Sequence, residues 1–271
     1  MRLDRQTLRA HGVILTAAFS ITFISCGASA GAAVTMEQFE VDSHILGPRR
    51  LYISDKVIRI DCLRENLTII SKKPFDKATC FNNSSRKICD QDATRAVKEL
   101  RTFGLFMSEA GEVTLSWKRS GPETVQGVPC IAYNGKVTHT EKMPNKADEA
   151  DWRKYWVRND LVVPKPAGDI LSAAIGAPNI PGIPQRLEHF GSENDFNIPF
   201  LSRSNIDTQK KILRVIISTK SRKKVSVPDS FFDLPKNYKR KDDFKKVFLG
   251  SGGMQSLKDA GKAPGFLFES K

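Results

Sequence analysis

The chain has 271 residues, 40% hydrophobic and 27% charged, the proportions of a globular protein. Its length allows one large domain or two small ones, with a core large enough to make disulfides optional supports. Lys and Arg number 43 against 30 Asp and Glu, a formal charge of +13. That balance points to anionic surfaces such as lipid headgroups or lipopolysaccharide, or to nothing more than a positive exterior. Without a zinc finger, basic zipper or aromatic RNA-binding motif beside the lysines, nucleic acid is set aside.

Residues 1–30 have the layout of a secretory signal peptide: Arg2, Arg5 and Arg9, then the uncharged run Val13 to Ile24, then the small-x-small site Ala28-Ser29-Ala30. The apolar run is short for a membrane span. An uncleaved N-terminal anchor is the other reading. Cys26, at the end of the run, is either a lipidation site or a residue discarded with the leader. Removal of 1–30 takes away three Arg and one Asp and leaves about +11. An exported chain, in the periplasm or outer envelope, is expected.

Period-two patterns then dominate. Residues 36–46 form the first strand. "RRLYISDKVIRIDC" reads as two strands, the second with Ile58, Ile60 and Cys62 on one face and Val57, Arg59 and Asp61 on the other. "ENLTIISKKP" adds another, and "DKATCFNNSSRKIC" two more. Short, adjacent strands with tight turns imply an antiparallel meander. At 89–104 the spacing becomes helical, with Asp90 or Asp92 as cap and Gly104 as terminator. Strands resume at "EVTLSWK", "GVPCIAYNGKVTHT" and 151–164. A short apolar helix over "AGDILSAAIGAP" is capped by Asp169 and ended by Gly176. The Pro- and Gly-rich "APNIPGIPQRLEHFG" follows, then a late strand over 210–221. "SVPDSFFDLPKNY" docks on an edge, "DDFKKVFLG" is an amphipathic helix, and 251–271 is a loosely held tail. The sum is runs of short strands with a few helices, an α+β protein whose domain spans 36–250.

Four cysteines remain after the leader: Cys62, Cys80, Cys89 and Cys130. An even number in an oxidising compartment favours disulfides, and four allow three pairings. Cys80 and Cys89 flank a polar turn and can face each other across a hairpin, which leaves Cys62 with Cys130. No motif for metal ligation, a cofactor or a catalytic residue stands out, and no enzyme is expected. The aromatic residues, among them Trp117, Trp152 and Trp156, serve either as packed core or as the wall of an apolar cavity suited to an acyl chain.

Four stretches in order, "LYISDKVIRID" with "LTIISKKP", "GPETVQGVPCIAY", "YWVRNDL" with "GIPQRLE", and "VPDSFFDLPKNYKR", make 36–240 resemble the bacterial lipoprotein-carrier superfamily of LolA/LolB-like half-barrels, in particular an exported branch of unknown function. Asn237 stands where the closing motif has Gly. The resemblance implies a strongly curved antiparallel sheet of about ten strands, a half-open barrel with short helices over its mouth and an apolar cavity. It places Cys130 on a strand of the concave side, held by a bond to another strand. Inward strand positions nominated as cavity lining are Ile58, Ile60, Leu115, Trp117, Leu213 and Val215, with Trp156 at the mouth. The expected function is binding of a lipid or acylated protein, without enzymatic activity and with an anionic membrane surface as a further partner. The alternative is a structural or interaction module of the envelope with a filled core and no ligand.

Overall fold

A computed structural model describes residues 33–44, 46–108, 113–139, 152–192 and 211–248, with side chains throughout except at 103–108, 113–115, 137–139, 191–192 and 211–212. The leader 1–30, Cys26, the tail 251–271 and the Leu115 side chain lie outside the described residues. Strands β1 (Ala33–Ser43), β2 (Gly47–Ile53), β3 (Val57–Cys62), β4 (Leu67–Lys72), β5 (Lys77–Asn82) and β6 (Lys87–Asp92) form the expected antiparallel meander. Helix α1 (Ala93–Ser108) follows, then β7 (Val113–Val125), β8 (Val128–His139) and β9 (Trp152–Arg158). Helix α2 (Lys165–Ile175) leads to β10 (Pro184–Ser192), β11 (Lys211–Pro228), β12 (Lys239–Arg240) and α3 (Phe244–Phe248).

All twelve strands belong to one sheet, in the order β12-β6-β5-β4-β3-β2-β1-β11-β10-β9-β8-β7. The sheet does not close into a barrel, since β12 and β7 are its two edges. Every pairing is antiparallel except β12 on β6. The 18-residue β11 joins the halves: its later residues pair with β1 and its earlier ones with β10. The α+β class therefore stands, with twelve strands where the resemblance implies about ten. The strands that the sequence reading lacks are β10, masked by the Pro- and Gly-rich approach, and the two-residue β12.

Alternation along the strands sorts the apolar residues onto two faces. Phe39, Leu51, Ile58, Ile60, Ile69 and Cys80 share an inner face with 0% exposure, beneath α1, α2 and α3. The outer face of the first meander carries Met36, Tyr52, Val57, Ile70, Phe81 and Ile88. The chain after β11 crosses that outer face as a 3-10 turn (Asp229–Phe232). Phe232 is buried there, Tyr52 meets Phe231 edge-on at 4.8 Å, and the Arg59 guanidinium lies over the Phe231 ring and donates to the Phe231 carbonyl. The chain then rounds the sheet edge as β12. It ends on the inner face, where α3 buries Phe244, Val247 and Phe248. The segment predicted to dock on an edge thus packs mainly across a face.

Helix ends depart from expectation in instructive ways. Asp92 caps α1, its Oδ1 accepting from the Thr94 amide at 2.8 Å, but the helix runs past Gly104 to Ser108. Residues 89–92 complete β6 instead of opening the helix. Helix α2 starts earlier than Asp169: Pro164 is its N-cap, and Asp169 accepts from Lys165 one turn back at 2.7 Å. Gly176 does end it, in the left-handed conformation at φ 72° that a side chain would strain. Two arginines hold the C-terminal end of α2. Arg49, 1% exposed, donates to the Ala174 carbonyl, and Arg101 of α1 donates to that of Ala177.

Candidate functional site

The nominated residues fall into three groups. Ile58 and Ile60 face inward as expected but are fully covered, part of one core cluster with Ala96, Ile170, Leu171 and Phe244 from the three helices. Trp117 also faces inward and is only partly buried. It meets Tyr155 edge-on at 5.9 Å and lies against Gly135, its cross-strand partner, where a Cβ would sit 2.9 Å from the ring. Tyr133 is partly buried beside them, and the buried Tyr155 hydroxyl has no hydrogen-bond partner among the described residues. Burial raises the Tyr155 pKa well above the usual phenol range, so the hydroxyl stays protonated.

Leu213, Val215 and Trp156 are on the other side of the sheet, which corrects their assignment to the cavity wall. The physical cause for the first two is a β-bulge. Leu187 pairs with Ile217 and Glu188 with Val215, so Ile216 is an extra residue in β11. One inserted residue inverts the alternation, and Leu213 and Val215 turn outward, 53% and 39% exposed. Trp156 follows the parity set by its buried neighbours Tyr155 and Val157. It lies on the outer face with Cys130 and Ala132, and its Nε1 donates to Glu123 at 2.7 Å. Glu123 also binds the Lys154 ammonium at 2.9 Å, and these two hydrogen bonds, Lys154 first, hold its carboxyl below the usual range.

The cysteines are four buried free thiols. Cys80 and Cys89 stand directly opposite each other across β5 and β6, the expected juxtaposition without the bond. Cys62 and Cys130 are not partners. Cys62 belongs to the inner core, whereas Cys130 sits in the outer-face cluster, with β2, β1, β11, β10 and β9 between their strands. Cys130 therefore does not line the concave side. Tyr133 and Tyr155 take the inward positions of β8 and β9 and leave Cys130 to the other face. Burial pushes the Cys62 and Cys89 thiols up to about 11 and that of Cys80 well above its ordinary value.

Comparison with known protein families gives no match, and comparison with curated proteins gives none either. Among the described residues, no three His, Cys, Asp or Glu side chains are grouped to hold a metal ion. No described helix is long and apolar enough to cross a membrane.

The outer face of β8 to β11 carries a feature that the sequence reading did not assemble. Lys136, Trp152, Phe190 and Leu213 form one cross-strand row, and Lys118, Asn134, Lys154, Glu188 and Val215 form the next. Trp152 and Phe190 stack at 5.8 Å with rings 18° apart. An open groove of about 490 Å³, lined by Asn134, Trp152, Arg153 and Lys154, adjoins the row. Phe190 was missed because β10 was missed. The available signal was the alternation of Leu187 and His189 against Arg186, Glu188 and Phe190.

Proposed function

We propose that this chain is an exported, non-enzymatic interaction module of the cell envelope with a filled core, which meets its partners through its surface. The observation that carries the reading is the coverage of the inner face. Leu51, Ile58, Ile60 and Ile69 have 0% exposure, sealed by residues of α1, α2 and α3. Apolar side chains that would have to part for an acyl chain are instead packed, and each buried Leu or Ile contributes about 1.5–3 kcal/mol to keeping them so. The large apolar side chains left open lie outside that core, among them Trp152, Leu213 and Val215.

A second reading has its own support. An unclosed, mostly antiparallel sheet with helices on one face is compatible with a curved half-barrel that carries a lipid or an acylated protein, as the resemblance to the lipoprotein carriers implies. The partly open Trp117–Tyr133 wall beside Tyr155 is where such a chain would enter. Native mass spectrometry of the protein purified from its own envelope separates the two. The filled-core reading predicts the bare polypeptide mass, before and after incubation with monomeric fatty acid or lysophospholipid. A stoichiometric lipid adduct, lost in Trp117→Ala with unchanged circular dichroism, refutes it in favour of the carrier.

A further inference from the structure

We infer that the outer face of β8 to β11 is a docking surface for an anionic lipid bilayer, with Trp152, Phe190, Leu213 and Val215 entering the interface and Lys118 and Lys136 contacting headgroup phosphates. The inference rests on the reading that the chain acts through its surface, and it names the partner. Six large hydrophobic residues are exposed among the described residues, and three of them, Trp152, Leu213 and Val215, belong to this one corner. They are there for a structural reason. The bulge at Ile216 turns Leu213 and Val215 outward, and β1 ends at Ser43 opposite Ile217, so among the described residues no strand pairs with that side of β11 beside them. Phe190 bridges the aliphatic pair to Trp152 and makes the patch continuous.

The charges beside the patch choose the occupant. The described carboxylates in and beside it are already matched: Glu188 accepts from Arg186 at 2.6 Å and Glu123 from Lys154 at 2.9 Å. Lys118 and Lys136 are exposed and have no ion-pair partner among the described residues. Among the described residues the surface therefore presents uncompensated positive charge in the same rows as an amphipathic tryptophan and three apolar side chains. An anionic bilayer offers the complement to both, since its headgroup layer attracts ammonium groups and its acyl boundary accepts Trp, Phe and Leu. A protein partner of ordinary composition would take the apolar patch but has no general reason to carry the matching sheet of negative charge.

The test uses the full chain and phosphatidylcholine vesicles with and without 30% phosphatidylglycerol, part of it carrying brominated acyl chains. Tryptophan quenching by bromine on the anionic vesicles is expected, together with a blue shift, weakening at high salt and neither effect on pure phosphatidylcholine. Trp152→Phe keeps the apolar bulk and removes most of the quenching. The pair Lys118→Gln and Lys136→Gln weakens vesicle binding about 30-fold, from roughly fivefold per basic residue at an anionic surface. Leu213→Asp weakens it further with thermal stability unchanged, because Leu213 is half exposed already. Three results overturn the inference. One is flotation with vesicles while Trp152 stays unquenched, which assigns membrane contact to the apolar N-terminal run. Another is no association with anionic vesicles. The third is a dimer in sedimentation that Leu213→Asp dissociates, which gives the face to a second copy. A lipid adduct in native mass spectrometry, by contrast, refutes the filled core and leaves this surface untouched.

Discussion

Arg222 and Arg158 show how single side chains tie distant parts of the chain. Arg222 on β11 pairs with Glu37 on β1 at 2.8 Å and with Asp160 after β9 at 2.6 Å. Asp160 also binds Arg158, which donates on to Gln185, and Gln185 donates to Gln126 in the β7–β8 turn. The Phe39 ring lies 5.5 Å and 5.6 Å from the two guanidiniums. Hydrogen bonds from Arg222 and Arg158 hold the Glu37 and Asp160 carboxyls below their usual range. Because the folded values are the lower ones, the stabilisation is complete above about pH 4.5 and is lost as pH falls through the folded values. Arg222→Ala should cost about 1 kcal/mol at neutral pH, given its partial exposure, and should flatten that acid limb in chemical denaturation. The buried thiols act at the other end of the scale. Cys62 is pushed up to about 11, so its contribution is complete below about pH 8.5 and is lost as pH rises towards 11. That shift amounts to roughly 2–3 kcal/mol, which Cys62→Ala should remove from the alkaline limb at the cost of a smaller core. Cys62, Cys80, Cys89 and Cys130 should resist iodoacetamide in the folded protein and react in 6 M guanidinium, as one added alkyl group on each of their peptides reports.

Elements are fixed by a few junctions. The β7–β8 hairpin turns on Gln126 and Gly127, both with positive φ, the two-residue turn that matches strand twist. Across the same pair Trp117 covers Gly135, and the missing Cβ is what lets the indole lie flat on the strand. Gly135→Val should displace the ring, destabilise the protein by about 1–3 kcal/mol and shift the intrinsic tryptophan emission to the red. Glu99 is a second junction. It accepts from Arg95 on its own helix, from Gln91 on β6 and from the Phe244 amide that opens α3, so one carboxylate joins three elements. The edge strand β7 is guarded against further pairing by a bulge between Arg119 and Gly121, by Pro122 and by exposed Lys118.

At the level of the whole molecule, the segment after β11 behaves as a strap. It buries Phe232 on the outer face, pairs at the sheet edge and plants Phe244 and Val247 on the inner face, 1% and 0% exposed. Phe244→Ala should therefore cost about 3–5 kcal/mol, visible as a lower denaturant midpoint, although the residue belongs to a helix of only five residues. The local alternation of residues 33–92 was enough to determine the meander, its turns and the sides on which Ile58, Ile60, Cys62 and Val57 lie, because short hairpins obey nearest-neighbour rules. The helical spacing after Asp92 and the glycine stop at Gly176 were legible for the same reason. What only the tertiary structure decided are the facts that depend on partners distant in the chain. These are the place of β11 between β1 and β10, the bulge at Ile216 that sends Leu213 and Val215 outward, the separation of Cys62 from Cys130 and the filling of the inner face by three helices. A bulge is one extra residue opposite a strand that arrives from elsewhere, and a filled face is a matter of which helix comes to rest on it; neither leaves a mark in the periodicity of its own segment.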